Sequence, residues 1–349
     1  MKKLISIILT LAFIISLLAG CAATAPEAET GDTAAETVTE DKNENETEAE
    51  AQAKPAVRIA GLKGATSIGM VKLLDDDERG AARNDYEYTL AGTADEITPK
   101  FIKGELDIIA VPVNLAAVLY GKTGGGVEML AVNTLGVTYI VENGNKVHDW
   151  RDLKGKTVYA TGKNAVPEYA LRYLLAQNGL DPDKDVKIEW KSEPTEIVAM
   201  MTADSDIIAM LPQPYVTAAR GQVEELRVAL DMTESWDALE KDSRLITAGV
   251  IVRREFAEQH PDAIANFLAD YRASTKFVNA EPTAAAALVE KYGIIKAAVA
   301  EKAIPECNIV CITNDEMKTA LEGFLKVVYD MEAKAVGGEL PKDDFYYAE

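Results

Sequence analysis

Apolar residues occur along the chain in short blocks whose spacing switches between that of strands and that of helices. Runs rich in aliphatic, β-branched and aromatic residues predict strands at 57–62, 86–90, 106–111 and 128–133. The segments between them carry apolar residues at helical spacing and predict helices at 68–74, 94–103 and 115–120. This alternation predicts an α/β fold built on an open sheet, with its useful loops at the carboxyl ends of the strands.

A second block repeats this layout. It predicts strands at 157–160, 186–190 and 206–211, a helix that ends near 177, and a helix at 194–202. Each block closes a long aliphatic strand with a proline turn, at 112–114 and at 212–214. Two extended runs, 137–141 and 247–252, flank the second block, and the pattern after them is mostly helical. We therefore expect two lobes, one formed by residues 55–137 and 247–349 and the other by residues 138–246.

In both blocks the first strand is followed by a small polar loop and then by a helix. The first turn of a helix has N–H groups without intrahelical partners and a partial positive charge, so such loops suit a polar or anionic ligand. A βα turn with a purely structural role explains either loop taken alone, and Asn114 and Asn133 can equally serve as turn or cap residues. The candidate ligand-binding residues from this pattern are Ala65, Thr66, Ser67, Pro112, Asn114, Asn133, Thr161, Gly162, Lys163 and Asn164. Tyr159, Tyr169 and Tyr215 are candidate walls of the same cleft.

The first 20 residues have the pattern of a secretory signal peptide. Lys2 and Lys3 precede an apolar run at 4–19, and small residues stand immediately before Cys21. The sequence LLAGC resembles the lipobox of bacterial lipoproteins, which implies that Cys21 becomes a lipidated N-terminus and anchors the protein to the membrane outside the cytoplasm. Residues 21–54 are acidic and almost free of large apolar side chains, so we expect a disordered tether.

Charge and composition exclude several classes of function for the body at 55–349. The chain has a formal net charge of −21, most of it on the body, which argues against nucleic acid as a partner but permits a local positive pocket. His148 and His260 stand among charged residues, and no cluster of Cys and His suits zinc or nucleophilic catalysis. We therefore expect no enzymatic activity, no metal and no cofactor. Cys307 and Cys311 are expected to be buried free thiols, with a local disulfide as the alternative.

The body resembles the substrate-binding proteins of bacterial ABC importers, in the two-lobed class that includes sulfonate, nitrate, taurine and thiamine-precursor binders. The segments that carry the resemblance are VRIAGLKGATSIGMVKLL, VYATGKNAVPEYALRYLLAQNGLDP, MLPQPYVTAA and TAGVIVRREFAEQHPDAIANFLADYRAS. It implies a type II periplasmic binding protein with a ligand cleft between two lobes that close on a small solute. It also implies delivery of that solute to an ABC permease and its ATPase, and we expect a monomer.

The resemblance adds Gln213 to the candidate site and supports the loops at 65–67 and 161–164. No arginine stands in those loops, which argues against a strong sulfonate or nitrate clamp, because planar two-point capture of such anions usually employs Arg. Lys163 is the cation there, with a solvated lysine as the alternative. Two other functions stay open: an enzyme similar to a thiamine pyrimidine synthase, and a lipoprotein that senses a ligand or docks a membrane partner without transport.

Overall fold

The computed structural model describes residues 54–349, and the predicted signal peptide, Cys21 and most of the tether lie outside this range. The strands are β1 (Ala56–Leu62), β2 (Asp85–Ala91), β3 (Ile108–Pro112), β4 (Val127–Leu135), β5 (Thr138–Asn143), β6 (Thr157–Ala160), β7 (Lys187–Trp190), β8 (Ile208–Pro212), β9 (Leu226–Asp231), β10 (Ile246–Arg253) and β11 (Ile309–Ile312).

Helices connect the strands and cover the sheets. The α-helices are α1 (Ala65–Ile68), α2 (Val71–Glu78), α3 (Ala94–Ile102), α4 (Val113–Lys122), α5 (Val166–Gln177), α6 (Pro194–Ala203), α7 (Tyr215–Arg220), α8 (Met232–Leu239), α9 (Arg254–Gln259), α10 (Pro261–Ala280), α11 (Pro282–Lys291), α12 (Ala297–Ala303) and α13 (Asn314–Met331). Short 3-10 turns occur at Trp150–Leu153, Ile304–Glu306, Ala333–Val336 and Asp343–Phe345. No helix at 54–349 is long and apolar enough to cross a bilayer.

The strands form two sheets with the same plan. In the first, the order is β11-β4-β10-β3-β1-β2, with β1 parallel to β2 and β3, and with β10 antiparallel to β3 and β4. In the second, the order is β7-β6-β8-β5-β9, with β6 parallel to β7 and β8, and with β5 antiparallel to β8 and β9. The predicted α/β class is confirmed, and the repeated layout seen in the sequence corresponds to two sheets of matching topology.

The chain passes between the two sheets twice. It leaves the first sheet after β4 and enters the second at β5, then returns from β9 through α8 to β10. Because β5 and β10 are each paired on both sides within a sheet, the two crossings end on buried, hydrogen-bonded strands. The parallel strands β1, β3, β6 and β8 are likewise paired on both sides, so the loops at their carboxyl ends start from strands held within a sheet.

An aromatic cluster packs the second sheet's helices against α13. Trp236 on α8 is fully buried, with its ring centroid 4.9 Å from that of Tyr173 on α5 and 5.4 Å from that of Phe324 on α13. Aromatic pairs at this separation add to the burial of apolar area. The core is thus continuous from one sheet's helices to the other's on this side of the molecule.

Several local predictions were wrong. Residues 65–67 form the single-turn helix α1 rather than a loop, and Asn114 lies within α4 rather than in a turn, because α4 begins directly after Pro112. The strand β9 was missed, and β11 interrupts the part expected to be helical. Both are edge strands, and β11 has only 4 residues with an irregular register, so their patterns are weak.

The cysteines and histidines lie where their sequence contexts suggested. Cys307 and Cys311 are free thiols, the first buried and the second half-buried, so the alternative of a local disulfide is not realised. Burial raises the pKa of Cys311 to about 11, which leaves a protonated, weakly reactive thiol. His148 and His260 are both exposed, the first beside a 3-10 turn and the second between α9 and α10.

Candidate functional site

The first wall of the candidate site is the turn that leads from β1 into α1. Gly64 precedes the helix with φ of 123° and ψ of −156°, a conformation that only glycine adopts without strain. The Gly64 conformation changes the chain direction directly before α1, and Ala65 and Ser67 are both buried. The hydroxyl of Ser67 donates to the Leu62 carbonyl at 2.7 Å, so it fastens the turn to its own strand.

Asn133 on β4 forms a hydrogen bond to the backbone of α1. Its amide nitrogen donates to the Thr66 carbonyl at 3.0 Å, and its amide oxygen accepts from the Thr134 hydroxyl at 3.1 Å. Asn133 is buried with both ends of its amide engaged by the protein. Among the predicted site residues, Asn133 and Ser67 therefore position the backbone of α1, whereas the side chain of Thr66 is half-buried and free of such a role.

The second wall is the loop between β6 and α5. Gly162 has φ of 82°, and an added Cβ would lie 2.9 Å from Cγ of Pro167, so a side chain here would collide with the start of α5. Asn164 also has a positive φ, 61°, which asparagine tolerates better than most residues. Thr161 is buried, and Lys163 is exposed with no ion pair to any residue of the described range. The loop thus presents one hydroxyl and one uncompensated ammonium group.

The helix that follows this loop supplies less positive potential than its sequence pattern suggested. The carboxylate of Glu168, in the first turn of α5, accepts from the Asn164 N–H at 2.6 Å. A negative group at this place offsets part of the helix's N-terminal charge. The other wall has the single-turn helix α1, whose dipole is correspondingly small. Both helix starts therefore offer an anion less positive potential than the sequence pattern suggested, and the prediction that they face a ligand stays a prediction.

Asn114 links the two walls. Its amide nitrogen donates to the Asn164 carbonyl on the opposite loop at 3.2 Å and to the Ala335 carbonyl at 3.3 Å. Tyr215 at the start of α7 lies close to Gly64, since a Cβ added to Gly64 would lie 3.8 Å from the tyrosine ring. Burial raises the pKa of Tyr215, so its phenol stays protonated. The loops of the two sheets are therefore in contact through Asn114 and Asn164.

Gln213 forms a further bridge between the sheets. Its amide nitrogen donates to Glu306 at 2.5 Å, and its amide oxygen accepts from the backbone N–H and the hydroxyl of Thr217. Arg220 adds its guanidinium group to the same carboxylate at 3.4 Å. Because all polar atoms of the Gln213 amide are engaged, Gln213 holds the two sides together rather than offering a free group to a ligand.

The structure therefore sorts the predicted residues into two groups. Asn114 and the loop at 161–164 meet directly, and Gly64 beside α1 reaches the second sheet through Tyr215. Ser67, Asn133 and Gln213 are engaged in internal hydrogen bonds. Pro112 ends β3 and caps α4, where it sets the position of Asn114. Glu306 was missed, because it comes from the carboxyl-terminal part of the chain, 93 positions from its partner Gln213, and no local pattern marks it.

Comparison with solved structures identifies this arrangement. The chain matches an ABC transporter protein from Parabacteroides distasonis with a TM-score of 0.70 and 24% identity, over 84% of this chain and 99% of that one. It matches the periplasmic aliphatic sulphonate binding protein SsuA from Escherichia coli with a TM-score of 0.68 and 17% identity, over 85% and 93% of the two chains. The fold is that of a two-lobed periplasmic binding protein.

Other comparisons agree with this periplasmic-binding-protein fold. Residues 127–285 match the family model described as NMT1/THI5 like. The ligand-binding component of an ABC-type import system from Staphylococcus aureus, in a structure with zinc bound, matches with a TM-score of 0.65 and 13% identity over 84% and 97% of the chains. A search of curated proteins gives no match. The resemblance to ligand-binding components of ABC import systems is thus confirmed at the level of the fold.

Within residues 54–349 no group of three or more His, Cys, Asp and Glu side chains is placed to hold a metal ion.

Proposed function

We propose that the protein captures a small polar solute between two lobes outside the cytoplasm and delivers it to an ABC permease and its ATPase. The observation that carries the proposal is the direct contact between the strand-end loops of the two sheets, from Asn114 to the Asn164 carbonyl. Loops at the carboxyl ends of strands in open α/β sheets are the usual place for ligands. The matching topology of the sheets and the fold of the neighbouring binding proteins support the same role.

The lobes of this proposal are those expected from the sequence. Lobe 1 comprises residues 55–137 and 247–349, and lobe 2 comprises residues 138–246. The crossings before β5 and before β10 would act as the hinge, since a few residues at the ends of elements commonly absorb such motion. The Asn114–Asn164 and Gln213–Glu306 hydrogen bonds would form on closure and break on opening.

Solute binding is expected to shift the protein toward its closed form. Small-angle X-ray scattering should then show a smaller radius of gyration after addition of the solute than before it. The reason is that closed lobes gain contacts with the solute that open lobes cannot make. An unchanged radius at saturating solute would contradict the hinge, although it would leave binding itself intact.

The proposed contacts are the side chains of Thr66, Thr161, Lys163 and the amide of Asn114. Thr161→Ala and Lys163→Ala are expected to weaken solute binding, each by about fivefold or more, since a neutral hydrogen bond contributes about 1 kcal/mol and a charged one about 1.5–3 kcal/mol. The measurement is the rise in melting temperature with solute, which depends on affinity through mass action. Lys103→Ala, an exposed lysine at the far end of α3, is the matched control and should keep the wild-type shift. Unchanged affinity in both test variants would place the site elsewhere.

We also propose that a lipid on Cys21 anchors the protein to the membrane. The basic start, the apolar run and the small residues before Cys21 support this, as they occur in the order that lipoprotein processing requires. Cys21→Ala should move the protein from the membrane fraction to the soluble fraction or block its processing. A variant that is processed normally and stays with the membrane would contradict the anchor.

A further inference from the structure

The amide of Asn114 has one atom that the protein leaves without a partner. Asn114 is 2% exposed, and its amide nitrogen donates to the carbonyls of Asn164 and Ala335. Its amide oxygen, Oδ1, is buried and receives no hydrogen bond from any residue at 54–349. An acceptor in this situation is costly unless a donor reaches it.

The orientation of this amide is determined by its neighbours. Exchanging the nitrogen and oxygen of Asn114 would place an acceptor against two carbonyl oxygens, which also only accept. The network therefore requires the nitrogen on the side of Asn164 and Ala335. The oxygen is then the atom left for a partner that the chain does not supply.

The surroundings of Asn114 offer an acceptor-only anion a single cation, the ammonium group of the exposed Lys163, and little else that would hold it. No arginine stands in the loops at 63–67 or 161–164. The Asn164 N–H is already engaged by Glu168, and α1 has only a single turn. An oxyanion placed beside Oδ1 would bring two acceptors together, whereas an N–H or O–H group would complete the amide's hydrogen bonds.

We propose that the solute carries an N–H or O–H donor that bonds to Oδ1 of Asn114, and that the site rejects nitrate and simple alkanesulfonates. The solute class is thus a polar molecule with an amine, amide or hydroxyl group near its acceptors. This inference rests on the proposed function, because it names the chemistry of the molecule that the cleft binds. Asn114 would act as a specificity-determining residue, with one end of its amide holding the opposite loop and the other end selecting the solute.

The first test uses molecules that the protein retains. Purified protein is incubated with a cell extract, washed and unfolded, and the released small molecules are identified by mass spectrometry. The expected result is a molecule with at least one N–H or O–H donor. Release of an acceptor-only anion would overturn this inference alone. Release of no molecule would contradict the proposed function and this inference with it.

The second test uses fixed probes and variants. Nitrate and ethanesulfonate are expected to leave the melting temperature of the wild-type protein unchanged, and a saturable rise with either one would overturn the inference. Asn114→Leu is expected to bind the released molecule at least about tenfold more weakly, because its donor loses its acceptor. Asn84→Leu is the matched control: it also removes a buried amide, but one whose hydrogen bonds to Tyr86, Ala263 and Asn266 lie at the opposite end of the strands. Equal weakening in both variants would also overturn the inference.

Discussion

Replacing Trp236 by alanine is expected to lower the free energy of unfolding by about 3–5 kcal/mol. The side chain is fully buried between Tyr173 on α5 and Phe324 on α13, so its removal leaves a cavity where the helices of the two sheets meet. Urea denaturation of the described part of the chain, followed by circular dichroism, measures the effect. Both sheets should lose stability together and unfold in one transition, because the cluster belongs to a core shared between them.

Two control variants sharpen the Trp236 prediction. Trp236→Phe should cost much less, because it keeps an aromatic ring and removes an indole N–H that has no partner within the described range. Trp190→Ala, at a half-buried position on the edge strand β7, should also cost less. A loss below about 1 kcal/mol for Trp236→Ala would mean that the cluster can collapse around the cavity and does not join the helices as described.

Replacing Asp107 by asparagine is expected to cost about 3 kcal/mol of stability near neutral pH. Asp107 is 1% exposed and accepts hydrogen bonds from the guanidinium groups of Arg58 at 2.6 Å and Arg253 at 2.8 Å. These contacts tie β1 and β10 to the start of β3, and the variant leaves two arginines without their carboxylate. Asp206→Asn is the control, since its pair with Lys146 is exposed and such pairs contribute at most about 1 kcal/mol.

The Asp107 contribution should depend on pH in a definite direction. Burial alone would raise the pKa of Asp107, but hydrogen bonds from Arg58 and Arg253 outweigh burial and lower it. A carboxyl whose pKa is lower in the folded protein than the unfolded value of about 3.9 stabilises the fold fully above that value. The difference in unfolding free energy between wild type and Asp107→Asn should therefore be constant near neutral pH and shrink as the pH falls below about 4. A difference that grows on acidification would contradict the assignment.

The sequence predicted the parallel strands and the two crossings better than the edges of the sheets. Apolar runs such as the one at 108–113 mark buried strands, because both faces of such strands are covered. The strand β9 is half-buried along its whole length and mixes charged with aliphatic residues, so its pattern differs little from that of a loop. The edge strands β2 and β7 were predicted, so the weak apolar patterns of β9 and β11, rather than edge position alone, account for the missed strands.

The site shows a different limit of sequence reasoning. Asn114 and the loop at 161–164 lie together, as their positions at strand ends predicted. Residue types and strand ends did not show which of their atoms are free. Asn133 and Gln213 looked like ligand contacts, yet their amides are engaged inside the protein. The partner of Gln213 is Glu306, from the carboxyl-terminal part of the chain, and pairs so distant leave no trace in local spacing.

We propose that a solute binds between the two sheets at the contact of their loops. A crystal structure of the protein with the molecule that it retains from cell extract tests this claim most directly. We predict electron density for that molecule between α1 and the loop at 161–164, with a donor atom within about 3.2 Å of Oδ1 of Asn114. Density confined to one sheet, or located in the cavity lined by Tyr173, Glu240 and Lys326, would contradict it.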